Sequence, residues 1–312
     1  MGALTLVVHD DTSWSTNANM AAWNIIRTRV VSDLQTALST LRSDGTDVTI
    51  NIYCGYGEVD NQTMGSGDIG QSMYFVDTET YANIRTTLSG FTGLNTLQTS
   101  AFNPSTNLPA TDPFGWSETI LIASALTKAL GFWTGSATDG YCGFSSSASF
   151  DITSVDGSTC TGGYSLYGVM MHEFTEVLGR EMNTGANTTF YIADIFTYSA
   201  SGTRNNAASG TRYLSSDGGA TSIVSMNNNT NGDTGDNLGS TPYASAFNAF
   251  GSTGFAPSTS SSVPLKPIDW LYMTIIGWGL TGPGLGYAGL SSSGGPGATV
   301  AVKSSGIPMM GG

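Results

Sequence analysis

Three observations predict an α+β fold for this chain of 312 residues. It opens strand, helix, strand; near its middle, residues 168–182 form one nearly apolar helical run; and after Gly179 it changes to short β segments and loops. Residues 4–8 read as a strand, because Leu and Val fit a pleated, half-buried surface. An amphipathic helix follows over about residues 17–41, where Met20, Trp23, Val30, Val31, Leu34, Leu38 and Leu41 recur roughly at three- and four-residue intervals. Ser43-Asp44-Gly45 stops it. Residues 48–53 are nearly continuous β-formers and read as a buried strand that Gly55-Tyr56-Gly57 breaks. Residues 72–76 read as an edge strand, and Asp77 as the N-cap of a short helix on which Tyr81, Ile84 and Leu88 share a face.

Residues 90–115 carry loop chemistry, with Asn103-Pro104, Leu108-Pro109 and Asp112-Pro113. Ser117 and Glu118 are expected to start a core helix whose apolar run, 120–130, ends at Gly131. A Gly/Ser/Thr-rich stretch then holds a short strand centred on Phe150, and the central helix is placed at about 166–178. Beyond it, 191–198 is extended, 211–214 and 223–226 make a hairpin about Asp217-Gly218-Gly219, and 227–239 is a polar loop. Residues 244–250 read as a helical turn. A closing helix spans 267–276, with Ile268, Leu271, Tyr272 and Ile275 on one face and Gly277 at its end. This organisation predicts one domain over 1–280, with an upper part of about 1–179 and a lower part of about 180–280, followed by a Gly/Ser-rich tail, 281–312. Its composition predicts flexibility, or ordering through self-association.

Charge narrows the function classes. The net charge is -13, and the only lysines are Lys128, Lys266 and Lys303, so nucleic acid backbones and anionic membranes would be repelled. The longest apolar stretch, 120–132, contains Lys128 and is too short to span a bilayer. Charged residues make up only 11%, and solubility rests on Gly, Ser, Thr and Asn, a composition that suits a secreted or cell-surface protein. The first nine residues lack a basic leader, so export is expected to rely on a leader outside this sequence or on another route. In an oxidising setting Cys142 and Cys160 can close a loop and leave Cys54 as a buried thiol; three unpaired cysteines are the alternative.

The central helix carries the chemistry. His172 and Glu176 lie four residues apart and share a helical face, with Glu173 beside the first. This is the spacing of the zinc motif HExxH, in which two imidazoles hold the metal and the Glu is the general base, with the second His replaced by Glu176. His172 supplies a nitrogen, Glu176 a carboxylate oxygen, and Glu173 the base toward a water. Ten residues after His172, where the long motif places its third ligand, stands Met182, a poor partner for zinc. The third ligand is therefore sought elsewhere: Asp194 is the best-placed carboxylate, with His9 beside Asp10 and Glu181, turned off the ligand face, as other candidates. Two carboxylates on one metal give it more charge than imidazoles do and oppose ionisation of its water, and oxygen-rich ligation also tolerates manganese or calcium. Without a metal, Glu173 and Glu176 repel, and one of them is expected to hold a proton. The alternative to a metal site is a surface-facing helix with an incidental His–Glu pair.

The stretch His172-Glu-Phe-Thr-Glu-Val-Leu-Gly-Arg180 resembles the HEIxEVMGR signature of a family of bacterial, mostly secreted proteins classed by their motif as metalloproteases of the zincin, metzincin-like type. Further ordered likenesses are residues 48–58, similar to that family's strand followed by GYGEV; 126–131, its AKALGL; Asp139-Gly-Tyr-Cys-Gly-Phe144, its DGYVGF; 194–204, its DLFRYSAPGxR; and 268–278, its VDLRVMDVIGW. Thr197 stands where that pattern has Arg, and Gly235-Asp236-Asn237 where it often has GDW. The resemblance implies a zincin-like domain with a mixed sheet over two helices, an active-site helix and a β- and loop-rich C-terminal half, the metal lying in a cleft below the edge strand. It also implies Asp194 as third ligand, and Met273 or Met226 as the methionine beneath the site.

Two lesser signals accompany it. Asn227, Asn229, Asn231 and Asp233 place oxygens at alternate positions, as calcium loops do, although Leu238 stands at the twelfth position. Arg180, after the helix-ending Gly179, is expected chiefly to favour the helix C-terminus. The function expected is a secreted zinc-dependent metalloendopeptidase acting on protein or peptide, with Glu173 catalytic and His172, Glu176 and Asp194 on zinc. The competing expectation is a non-catalytic surface-layer or appendage subunit on a protease scaffold.

Overall fold

The computed structural model describes residues 1–115, 119–132, 137–185, 188–229, 231–238, 245–249, 251, 253–257 and 267–281. The expected tail after 281, the start of the helix expected at Ser117, and most of the loop before the closing helix lie outside these residues. The main sheet has the order Leu4–Asp10, Val48–Tyr56, Gly140–Phe144, Gly70–Tyr74. The first three strands are parallel, and Gly70–Tyr74 runs antiparallel at the edge. The long Val48–Tyr56 strand reads the two faces clearly: Val48, Ile50, Ile52 and Cys54 are buried, while Thr49, Asn51 and Tyr53 are more exposed.

Helix Met20–Ala37 and helix Leu166–Val177 pack against each other. The first does so because Trp23, Ile26, Val30, Leu34 and Ala37 make one apolar stripe. The second is buried on nearly every side, with His172 its one half-buried residue, which agrees with its apolar sequence. Tyr167 donates to Asp33 at 2.8 Å and links the two. Ser165 caps the central helix by accepting from the Gly168 amide at 3.2 Å, and Gly179 at φ +100° lets the chain leave it in a left-handed turn.

The helix expected over 120–130 is in fact a strand, Thr119–Ala123, followed by a shorter helix, Ser124–Leu130. The run Thr-Ile-Leu-Ile-Ala is rich in β-formers, and tertiary pairing decides its state: it lies antiparallel to Val76–Thr80 and parallel to Phe190–Tyr191. Thr80, not Asp77, therefore caps the helix Tyr81–Gly90, since Asp77 belongs to the strand. The closing helix is Pro267–Ile276, as the spacing predicts. The strand after it, Trp278–Leu280, pairs antiparallel with Leu38–Thr40 and ties the end of the described chain to its beginning. Between the layers Asp139 is fully buried, accepting from Lys128 Nζ at 2.7 Å, Ser124 Oγ at 2.7 Å and the Asn51 amide at 2.9 Å.

All three cysteines are free, so the Cys142–Cys160 closure is not formed. Cys142 is buried in the sheet as the register partner of Cys54, whereas Cys160 lies in a loop, half-buried. Burial pushes the Cys54 thiol up to about 12 and the Cys142 thiol well above its usual range. A thiol reagent is expected to label Cys160 alone in the native protein and all three cysteines after unfolding without reductant; two unreactive thiols in the unfolded protein would reveal a disulfide.

Candidate metal centre

The central helix delivers His172, Glu173 and Glu176 to the floor of a cavity of about 740 Å³. Its other walls are the edge strand Gly70–Tyr74 and the loops around Asp233, Asp236 and Ala246. His172 Nδ1 lies 2.8 Å from the Ala246 carbonyl, an acceptor only, so Nδ1 carries a hydrogen and Nε2 faces the carboxylates. Nε2 is 2.9 Å from Glu176 Oε1 and 3.4 Å from Asp236 Oδ2. Glu176 Oε2 accepts from Ser72 on the edge strand at 2.7 Å. His172, Glu173 and Glu176 form one group, and Glu176, Asp233 and Asp236 a second, whose candidate ligand atoms lie within 4.8 Å of one another. These groups are close enough to hold a metal ion.

The Ala246 carbonyl is itself held. Ser245 donates a short bond to Asp269 of the closing helix and accepts from Asn237 Nδ2 at 3.0 Å and the Phe247 amide at 2.9 Å. The closing helix thus supports the imidazole from behind, the arrangement by which a ligating His is fixed in one tautomer.

Glu173 is 5% exposed and lies directly under the edge strand. A Cβ at Gly70 would stand 2.2 Å from its Oε1, so the carboxylate occupies the space that the glycine leaves. Burial, then the Glu176 charge, raises the Glu173 carboxyl well above its usual range, so of the two carboxyls it is Glu173 that favours its protonated form without a metal. Burial alone would also raise Glu176, but His172, its hydrogen bond to Glu176, and Arg180 prevail and hold it down to about 2. For His172, burial opposes the charge, yet Asp236 and Glu176 outweigh it and raise the imidazole well above its usual range.

Asp194 stands apart from both ligand groups and from the cavity lining. Its Oδ2 accepts the amides of Asn183 at 2.9 Å and Tyr191 at 2.8 Å, tying down the turn after the central helix and the 3-10 segment Ile192–Phe196. The carboxylate the fold does bring to His172 is Asp236, from Gly235-Asp236-Asn237. The one sequence signal for it is the position of Asp236 within the triplet that resembles GDW.

Arg180 departs from its expected role. It is 1% exposed, and its guanidinium lies between the site's carboxylates, Nη2 3.1 Å from Glu176 Oε1 and Nη1 in a short contact with Asp236 Oδ1. The left-handed Gly179 turns the chain back beneath the helix, so the side chain meets the site and not solvent at the C-terminus. The same turn brings Glu181, expected to face away, into the cavity lining. Of the other expected residues, His9 stacks on Tyr53 at 4.6 Å and contacts Asn51, outside both ligand groups. Met182, Met226 and Met273 are all buried in the core.

In the Asn227 loop the alternate oxygens turn onto their own backbone. Asn227 Oδ1 accepts the Asn229 amide at 3.1 Å, Asn229 Oδ1 the Asn231 amide at 3.0 Å, and Asp233 Oδ1 the Gly235 amide at 2.6 Å. These are successive Asx turns, and they present Asp233 toward Glu176 and Asp236. Set against known protein families, curated proteins and solved structures, the chain matches none.

Proposed function

We propose that this chain is a secreted or surface-exposed, zinc-dependent endopeptidase with a zincin-like fold, its metal held by His172, Glu176 and Asp236. The observation that carries this reading is the set of groups around His172: Nδ1 tied to the Ala246 carbonyl, and Nε2 turned toward two carboxylates on the floor of a large cavity. The donor set fits zinc, which takes nitrogen and carboxylate oxygen and needs three protein ligands with one position open. Zinc held there supplies Lewis acidity toward a water and a peptide carbonyl. A cation offsetting the Glu176 charge would favour ionised Glu173, which, adjoining the ligands, would then serve as the group that accepts a proton from the attacking water and passes it to the leaving amine. Gly70–Tyr74 is an edge strand that lines the cavity and pairs with Gly140–Phe144 on one side; an extended peptide adds to such an edge by backbone hydrogen bonds. What supports the zincin-like reading is a mixed sheet packed on a helix pair, with the cavity beside the sheet's antiparallel edge.

The test is chelation. Dialysis against a chelator is expected to abolish cleavage of casein or gelatin, and one equivalent of zinc to restore it. Cleavage indifferent to the chelator would rule out the metal mechanism; zinc uptake without cleavage of any protein would favour the non-catalytic surface subunit.

A further inference from the structure

We propose that Arg180 is a positioning residue that determines which cation the centre takes, by offsetting one of the two carboxylate charges in the donor set. The inference rests on the metal-centre reading above and concerns its selectivity. A set of one imidazole and two carboxylates carries two negative charges, which favours hard, oxygen-seeking ions such as calcium or manganese over zinc. Arg180 supplies one positive charge at the shared wall of both carboxylates. With it the net charge equals that of a two-His, one-carboxylate zinc site.

The geometry is that of a built clamp. Arg180 Nε donates to Thr175 Oγ1 at 3.1 Å, Nη2 to the His172 carbonyl at 3.2 Å and to Glu176 Oε1 at 3.1 Å, and Nη1 to Asp236 Oδ1. The guanidinium also lies over the Phe247 ring, 4.4 Å from its centroid, which closes its remaining face. The contacts to Glu176 and Asp236 fix two ligand carboxylates, and those to Thr175 and the His172 carbonyl anchor the guanidinium to the central helix. Asp236 offers Oδ1 to Arg180 and keeps Oδ2 toward His172, so one carboxylate serves both the clamp and the centre. The planar guanidinium reaches both carboxylates, Thr175 and the His172 carbonyl in one fixed geometry, whereas a lysine ammonium has fewer donors and no fixed fork.

Zinc, manganese and calcium, each alone, would be titrated into the chelator-stripped full chain against a chromophoric competitor. Arg180→Met is expected to narrow the preference for zinc over calcium and manganese by about tenfold, because two carboxylates released from the guanidinium present the fully charged oxygen donors that calcium and manganese favour. Arg180→Lys keeps the charge and loses the fork; it is expected to weaken all three ions together and hold their ratios within about threefold of wild type. Unchanged ratios in folded Arg180→Met, or ratios in Arg180→Lys shifted tenfold, would overturn the inference. If Arg180→Met loses its near-ultraviolet circular dichroism, Arg180→Gln, which removes the charge and keeps a planar hydrogen-bonding group, is read in its place, with the same narrowing expected and unchanged ratios overturning the inference. Should the wild type take up none of the three ions, the metal centre itself fails; if it binds them and Arg180 leaves their ratios untouched, only the role of Arg180 fails.

Discussion

Glu173→Gln is expected to lower peptide hydrolysis by about 10²- to 10⁴-fold, the usual contribution of a positioned general base. Zinc affinity should stay within about threefold of wild type, because Glu173 is the base in this account and not a ligand. The amide is nearly isosteric, so the change removes the proton acceptor without opening a cavity. Gly70→Ala tests the same group from the other side. A methyl there would stand 2.2 Å from Glu173 Oε1, so the carboxylate must move off the strand or the strand must lift. Activity should fall, and the unfolding midpoint should fall with it, because the same methyl also stands 2.8 Å from Val169 Cγ1. Full activity in both variants would remove Glu173 from the mechanism.

The second large effect concerns the third ligand. Asp236→Asn keeps an oxygen for Arg180 but removes a charged donor facing His172, and it should weaken zinc by more than about 100-fold, beyond what loss of a supporting hydrogen bond to a ligand costs. Asp194→Asn should leave zinc affinity within about threefold, since Asp194 ties down backbone amides outside the cavity. Its effect belongs to stability. Competition with a chromophoric chelator reads both. The reverse pattern, zinc lost with Asp194 and kept with Asp236, would restore the ligand set that the sequence resemblance implied.

The metal-free protein should also lose stability as pH rises. Burial raises Asp194 to about 6, and Glu173 and Glu181 well above the usual carboxylate range. Each such group favours the folded state while it keeps its proton there, and that stability falls as pH rises from about 4 through the folded value. His172 acts in the same direction: raised when folded, it contributes fully below about 6.5 and loses that contribution as pH climbs through the folded value. Glu176, held low, works oppositely and only under acid, where its stability is lost as pH falls toward about 2. A thermal scan should therefore find the metal-free midpoint falling between about pH 5 and pH 8. Zinc should flatten that slope, and a rising midpoint without metal would contradict these assignments.

Much of this was legible in the sequence where a local pattern and its tertiary setting agree. The central helix is apolar apart from the His172, Glu173 and Glu176 side and is buried on nearly every face, the closing helix repeats its apolar positions cleanly, and residues 48–53 are nearly continuous β-formers. Thr119–Ala123 was not legible, because a short apolar run suits a buried helix as well as a strand until its partners, Val76–Thr80 and Phe190–Tyr191, are known. The site divides in the same way. His172, Glu173 and Glu176 come from one helix, so their spacing alone fixes their relation. Asp236 comes 60 residues after Glu176 in the numbering, across loops whose path no periodicity encodes. Arg180 departs from its expected role for a related reason: a residue after a helix favours the helix end by default, and only the left-handed Gly179 redirects it beneath the site.

The most direct measurement is a crystal structure of the protein equilibrated with zinc, with anomalous scattering collected at the zinc edge. The account predicts one peak bounded by His172 Nε2, Glu176 and Asp236, with Glu173 beside it and Arg180 still bridging the two carboxylates. A peak at Asp194, a peak confined to Asp233 and Glu181, or no peak at saturating zinc would contradict it.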